Sequence, residues 1–297
     1  MSERAFLVFL VVDGALAGCV YALVALVFVV VYKAARMMNF AVGEWVTVAA
    51  RLVAYGSHGL GLGVAGGLGL GCAGMAALAL AFNATVVRRL IGQPLISLIM
   101  VTIGLGTLMR GAAALVFAGV PAGVPFAVAL DPLVIAGLPL SSDRLLAAAV
   151  AVVSIAVLGA FFHATRPGLA LRAVAGDQQA AMAVGIDVRR YFAITWVVAG
   201  LLSVVAGTLW TVLAGGGFGL PLLGFKVFPI VIVGGLDSIP GTVVGALVVG
   251  VVESLAAGYV DPVAGSGFSH VAAYLVLMAA LVVRPYGLFG HPDVRRI

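Results

Sequence analysis

The chain has 297 residues, 64% hydrophobic and only 9% charged, with a formal net charge of +5. A soluble globule usually carries about 25% charged residues, so this chain cannot cover itself with polar surface and reads as an integral membrane protein. That sets aside the soluble-domain length prior and favours one helical bundle over residues 1–297. Its 14 Arg and 2 Lys sit mostly at the ends of apolar runs, as membrane topology requires, so the basic balance does not indicate nucleic acid.

Ala5 to Tyr32 is apolar apart from Asp13 and, at 28 residues, is long enough to cross about 30 Å of hydrocarbon with tilt. Arg4 ahead of it imitates a signal peptide, and Leu16-Ala17-Gly18-Cys19 imitates a lipoprotein cleavage box. Apolar sequence continues past Cys19, so an uncleaved first span with its amino terminus outside is expected. Cys19 and Cys72 lie in apolar segments and form neither a disulfide framework nor a metal site. A second span opens at Asn39-Phe40-Ala41-Val42-Gly43-Glu44 and reaches about Tyr55. Two readings stay open there: Asn39 caps the helix with Glu44 in its first turn, or both line a water-filled path.

The third span, about Leu60 to Phe82, contains two GxGxxG matches, Gly61 to Gly66 and Gly69 to Gly74. Neither follows a strand, so both are compositional, and Gly63, Gly67 and Gly71 instead offer a smooth face for close helix contact. Leu95 to Ala118 is the fourth span; its Arg110 either snorkels or pairs within the bundle. Residues 119–143 hold Pro121, Pro125, Pro132 and Pro139 and are expected as an external loop or short surface helices. Arg144 to Phe162 and Phe192 to Ala214 are the fifth and sixth spans. Between them, residues 165–191 carry Arg166, Arg172, Arg189 and Arg190 with Asp177 and Asp187, a polar loop whose arginine excess places it in the cytoplasm.

Phe225 to Tyr259 is interrupted by Gly234-Gly235-Leu236-Asp237-Ser238-Ile239-Pro240-Gly241 and reads as two short helices meeting at a break. Glu253 beyond it is expected to pair inside the bundle. Phe268 to Val283 is the last span, ended by Arg284-Pro285. The fold class is therefore an all-α polytopic bundle of about eight to nine transmembrane helices, one pair short or broken. With the amino terminus outside, Lys33, Arg36, Arg88, Arg89, Arg166, Arg172, Arg189, Arg190, Arg284, Arg295 and Arg296 fall inside. Only Arg4, Arg144 and Lys226 fall outside, and this ratio of 11 to 3 supports the orientation.

There is no phosphate-binding loop, no HExxH and no paired Cys, and the histidines at 58, 163, 270 and 291 are scattered. No catalytic constellation, cofactor or metal is expected in this chain. What remains is a polar or broken element at two places in the membrane and a large cytoplasmic loop. That combination reads as a transporter with a docking surface. The alternative is a self-sufficient secondary transporter or channel that couples ions through Asp13, Glu44 or Glu253. A purely structural scaffold gives no reason for a broken membrane segment.

Over nearly its whole length the chain resembles the permease subunits of branched-chain amino acid ABC importers, the Liv type. Met37-Met38-Asn39-Phe40-Ala41-Val42-Gly43-Glu44 is similar to that family's M-I-N-F-A-H-G-E, and Thr102-Ile103-Gly104-Leu105 to its T-I-G-L. Arg166-Pro167-Gly168 through Arg172-Ala173, then Asp177, Ala181, Gly185 and Ile186, resembles its cytoplasmic coupling segment. Residues 234–241 resemble G-G-x-G-S-x-x-G, and Arg284-Pro285-Tyr286-Gly287-Leu288-Phe289-Gly290 the closing R-P-x-G-L-F-G. Val42 stands where the family usually has His and Asp237 where it usually has Gly, while Lys33 and Arg36 replace small residues ahead of Asn39.

The resemblance implies a multi-pass protein of the bacterial cytoplasmic membrane. Its partners would be a second permease, identical or homologous, two cytoplasmic ATPases binding Mg-ATP, and an extracytoplasmic solute-binding protein. Relatives of this type also handle amides, urea and aromatic acids. The expected mechanism is alternating access driven by the partner's ATP cycle, with the helix from Ala173 to Gly185 seated in an ATPase cleft. Solute would pass near Asn39, Gly43 and Glu44 and the break at Gly234, Gly235, Asp237, Ser238, Pro240 and Gly241. The other reading of that break is a glycine hinge without solute contact.

Overall fold

A computed structural model describes residues 2–90, 93–124, 133–135, 138–214, 220–265, 267–284 and 287–290. Its helices are α1 (Glu3–Ala35), α2 (Val42–Ala54), α3 (Gly63–Phe82), α4 (Arg88–Leu90), α5 (Leu95–Val116), α6 (Ser142–Ala164) and α7 (Arg166–Gly176). They continue with α8 (Gln178–Ala183), α9 (Val188–Ala214), α10 (Leu220–Gly234), α11 (Ile239–Tyr259), α12 (Asp261–Ala264) and α13 (Phe268–Val283). Single π-helical turns at Tyr55–Gly59 and Asn83–Val87 extend α2 and α3. Among the described residues six helices are long and apolar enough to cross a membrane, with α10 and α13 shorter apolar helices beside them. The protein is all-α and polytopic.

The centre is α1. A helix apolar on every side has no face for water and must be surrounded by protein or lipid; here it is protein, because every residue from Val20 to Val31 is buried. It packs on α6, α9, α10 and α11. The crossing with α11 is made at small residues, where a Cβ on Gly14 would come 2.6 Å from the Gly250 carbonyl oxygen. By contrast α5 packs chiefly on α2, and Ile96, Met100, Leu108 and Leu115 on it are exposed.

Several boundaries differ from the sequence reading. Asn39 is not the cap of α2: the N-cap is Ala41, without a side-chain bond, and Asn39 Oδ1 accepts the Ala41 N–H at 3.0 Å in the turn before it. Gly67 and Gly71 do lie against Val53 and Ser57, but Gly63 meets nothing and starts α3 in the left-handed region. In the external segment there is no surface helix among the described residues but an antiparallel hairpin, β1 (Leu133–Ile135) with β2 (Leu138–Leu140), Leu133 facing Leu140. Pro125 and Pro132 of that segment lie outside the described residues, as do Pro285 and Tyr286 of the closing motif and Arg295 and Arg296 of the charge count. The pair around the break is unequal: α10 has 15 residues and α11 a full 21. Lys226, read as external, lies inside α10.

Three caps in series shape residues 165–191. Thr165 Oγ1 accepts the Gly168 N–H at 3.1 Å and starts α7, whose second residue is Pro167. Asp177 Oδ1 accepts from Gln179 and Ala180 and starts α8, so the helix expected from Ala173 to Gly185 is split in two. Gly185, at φ +86°, ends α8 as the Ile186 N–H returns to the Ala181 carbonyl. Asp187 Oδ1 then accepts from Arg189 and Arg190, and α9 begins a turn earlier than expected.

Candidate functional site

The first site is built where two separated motifs meet. The Thr102 hydroxyl accepts the Phe40 N–H at 3.3 Å and donates to the Ile99 carbonyl at 2.9 Å, with the Met38 carbonyl at 3.2 Å. One threonine on α5 thus holds the turn that precedes α2. Asn39 in that turn is 1% exposed, and its Nδ2 has no partner among the described residues. Glu44, in the first turn of α2, is buried and forms an ion pair with Arg110 of α5. Gly106 makes room for it, since a Cβ there would stand 3.3 Å from Glu44 Oε2.

Above this pair, between α2 and α5, lies a cavity of about 570 Å³ lined by Glu44, Thr47, Arg51, Met109, Arg110 and Phe225 with neighbouring small residues. Its rim is tied down. Arg51 donates to the Val120 carbonyl at 3.2 Å, His58 Nε2 to that of Gly123 at 3.0 Å, and the Tyr55 and Phe117 rings meet at 6.0 Å. Of the residues expected on a path, only Glu44 lines this cavity. Gly43 instead lies at a close crossing with Gly224 of α10, where a Cβ on Gly224 would come 2.8 Å from the Gly43 nitrogen.

The second site, the break, is closed. Gly235 turns the chain at φ +106°, and the Ser238 hydroxyl accepts the Gly241 N–H at 3.1 Å to cap α11, with Pro240 in the first turn. A Cβ on Gly241 would overlap the Gly234 carbonyl oxygen, and one on Gly234 the Gly241 carbonyl oxygen. The carbonyl groups freed at the end of α10 find protein. Leu288 N–H reaches Val233 at 2.8 Å and Phe289 N–H reaches Gly234 at 3.1 Å. The closing Gly-Leu-Phe-Gly segment therefore completes the break, and no room for solute is left between these backbones. Asp237 and Ser238 are half-buried and Pro240 is exposed. Asp237, Arg36 and Arg172 lie within electrostatic reach of Lys33. Break and first site are linked by a stack of Phe40 on Phe228, ring centres 4.9 Å apart, rather than by a shared cavity.

Three further intramembrane charges, Asp13, Lys226 and Glu253, are also paired. Asp13 pairs with Arg144, and Glu253 with Lys226, whose ammonium lies 3.4 Å from the Tyr21 hydroxyl; His270 Nδ1 is 3.1 Å from Glu253. All three carboxylates named for ion coupling thus have a fixed cation. None of these pairings, between residues up to 205 positions apart, is visible in the sequence.

Within residues 165–191, Leu171, Val174 and Ala181 point into the bundle, so Ala181 is a packing residue. Ala173, Asp177 and Gly185 are exposed, and Arg172 and Ile186 half-buried. Leu169, Met182 and Val184 are 61%, 55% and 78% exposed, an uncovered apolar face on two capped helices.

Long apolar spans, buried ion pairs and a cavity between α2 and α5 define a multi-pass membrane protein with room for a small molecule. The chain belongs to the family described as branched-chain amino acid transport system / permease component, whose model matches residues 10–283. It is 30% identical over 305 aligned positions to the high-affinity branched-chain amino acid transport system permease protein BraD of Pseudomonas aeruginosa, covering 96% of each chain. To the corresponding permease protein LivH of Salmonella typhimurium it is 34% identical over 143 residues, 46% of this chain and 44% of that one. A probable LivH of Methanocaldococcus jannaschii is 33% identical over 136 residues, again less than half of either chain. No solved structure matches.

Proposed function

We propose that the chain is the translocating subunit of an ATP-driven importer. It works as one of a permease pair, identical or homologous, with two cytoplasmic ATPases that bind Mg-ATP and hydrolyse it, and an extracytoplasmic binding protein that delivers a small polar solute. The observation that carries this reading is the exposed apolar face of α7 and α8. In water, such a face on a helix pair fixed by a cap at the start of each helix is costly unless a partner covers it. Its place between α6 and α9, both packed on α1, makes it a handle on the bundle. Closure of the ATPase pair moves these helices and shifts access from one side to the other.

A second reading, ion-coupled transport without ATPases, loses support from the pairing of Asp13, Glu44 and Glu253 with fixed cations. The test is uptake by vesicles holding the permease with and without its ATPases. ATP-dependent uptake is expected. Gly185→Trp, at an exposed left-handed turn, should leave the bundle assembled while ATP hydrolysis proceeds without transport. Normal coupled uptake by that variant, or ion-driven uptake without ATPase, contradicts the proposal.

A further inference from the structure

The charges around the cavity between α2 and α5 do not cancel. Three charged side chains line it, Glu44, Arg51 and Arg110. Glu44 and Arg110 neutralise one another as an ion pair. Arg51 remains; its hydrogen bond goes to a neutral carbonyl, that of Val120, and among the described residues no carboxylate stands within ion-pair distance of it. A guanidinium has five N–H donors in a fixed fork, and one of them is engaged here. Arg51 stands in the last turn of α2, where the negative end of the helix dipole helps to hold a cation, and a guanidinium at a cavity wall without a carboxylate partner is placed to receive an anion. The rest of the wall, with Met109, Phe117 and Phe225, is apolar, and a volume of about 570 Å³ is of the size that holds a small molecule.

Position agrees with this. With the amino terminus outside, α2 and α5 both run outward, so residues 44–51 and 109–120 lie in the outer half. The Arg51 and His58 bonds hold the segment after α5 across the outer rim. We infer that this cavity receives the carboxylate group of a small solute with an apolar body, Arg51 being the residue that recognises it. The inference rests on the importer reading. It assigns Arg51 a role separate from Glu44: Glu44 is already paired, so the solute's charge is read by Arg51 and an ammonium group is not required.

The test uses the full chain in lipid nanodiscs, with Cys19 and Cys72 replaced by Ala and a single thiol introduced by Ala114→Cys at the cavity wall. Labelling of that thiol is measured against leucine, isocaproate, which keeps the carboxylate and lacks the ammonium, and isoamylamine, which keeps the ammonium and lacks the carboxylate. Leucine and isocaproate should protect and isoamylamine should not. Arg51→Gln should raise the concentration for half-protection at least tenfold, and Arg51→Lys should restore most of it. Protection by the amine, protection by leucine alone, no protection by any of the three, or an unchanged Arg51→Gln variant each overturns the inference. ATP-driven vesicle uptake separates the two readings. Carboxylate-selective protection without such uptake would keep the site and remove the importer; ATP-driven uptake indifferent to Arg51 would do the reverse.

Discussion

The chain is interrupted twice ahead of a helix, at residues 36–41 before α2 and at residues 235–238 before α11, and the two interruptions are closed by different chemistry. At the first, side chains do the closing: Thr102 bonds to the Phe40 N–H, Asn39 to that of Ala41, and Glu44 reaches across to Arg110. Side chains keep the backbones apart, and a cavity remains above them. At the second, glycines let backbone meet backbone, and the amides of Leu288 and Phe289 take up the carbonyls left by α10. In the sequence the first reads as the polar start of a second span and the second as a break between two short helices. Polar side chains leave space between the helices, whereas bare backbone seals it.

The comparison is broken most severely at the sealed interruption. Gly241→Val places two methyl groups against the backbone of Gly234, which cannot rotate away as a side chain can. Overpacking of this kind is expected to cost about 3 kcal/mol or more. It should appear as a large fall in the unfolding temperature of the purified protein; an unchanged temperature would mean the seal is loose. A smaller and asymmetric effect is expected at the open one. The Glu44 side chain is 9% exposed and that of Arg110 60%, so Arg110→Gln strands a buried charge while Glu44→Gln leaves an arginine that can reach water. About 2 kcal/mol is expected for the first, below the ~3–5 of a fully buried pair, and well under 1 for the second. Equal losses in calorimetry would show that the cavity is as dry as the break.

The smallest effect belongs to a site remote from both. The Ser269 amide, and after it the Ser269 hydroxyl, hold the Asp261 carboxyl below the usual carboxylate range. A depressed folded-state pKa gives stability that is present above the unfolded value, near 4, and is lost as pH falls through the folded one. Ser269→Ala should therefore lower the unfolding temperature slightly at neutral pH and leave a flatter decline as pH falls below about 4. A difference between the two proteins that grows toward acid would contradict the assignment.

How much of this was legible follows from what a membrane demands. Spans were readable because only long apolar runs can cross, and their ends were readable from arginines. The start of α9 at Val188 was missed because Arg189 and Arg190 belong to a helix that continues past the apolar run, although Asp187 ahead of them is a capping signal. The split at Asp177 carries the same signal. The hairpin strands Leu133–Ile135 and Leu138–Leu140 were hidden by neighbouring prolines that argue for irregular chain. The motif around Asn39 includes Glu44, which lines the cavity, but the cavity depends also on Arg51, Arg110 and Phe225, side chains brought together by packing alone. The seal at the break was out of reach for the same reason. Gly287 to Gly290 and Gly234 to Gly241 are each glycine-rich, and nothing in either says that it completes the other.

The continuity of α1 has a mechanical consequence. Its 33 residues, without a proline, extend about 50 Å, against roughly 30 Å of hydrocarbon. It must lean, or stand clear of the bilayer. Its N-terminal portion is clamped to α6 through Asp13 and Arg144, its C-terminal end carries Lys33 beside Arg172 of α7, and between them Val20 to Val31 are gripped on all sides. A rod held in this way cannot bend to absorb a push. Were α7 displaced, as the proposed importer requires, the other end of α1 would tilt, with the Gly14 and Gly250 crossing as its fulcrum.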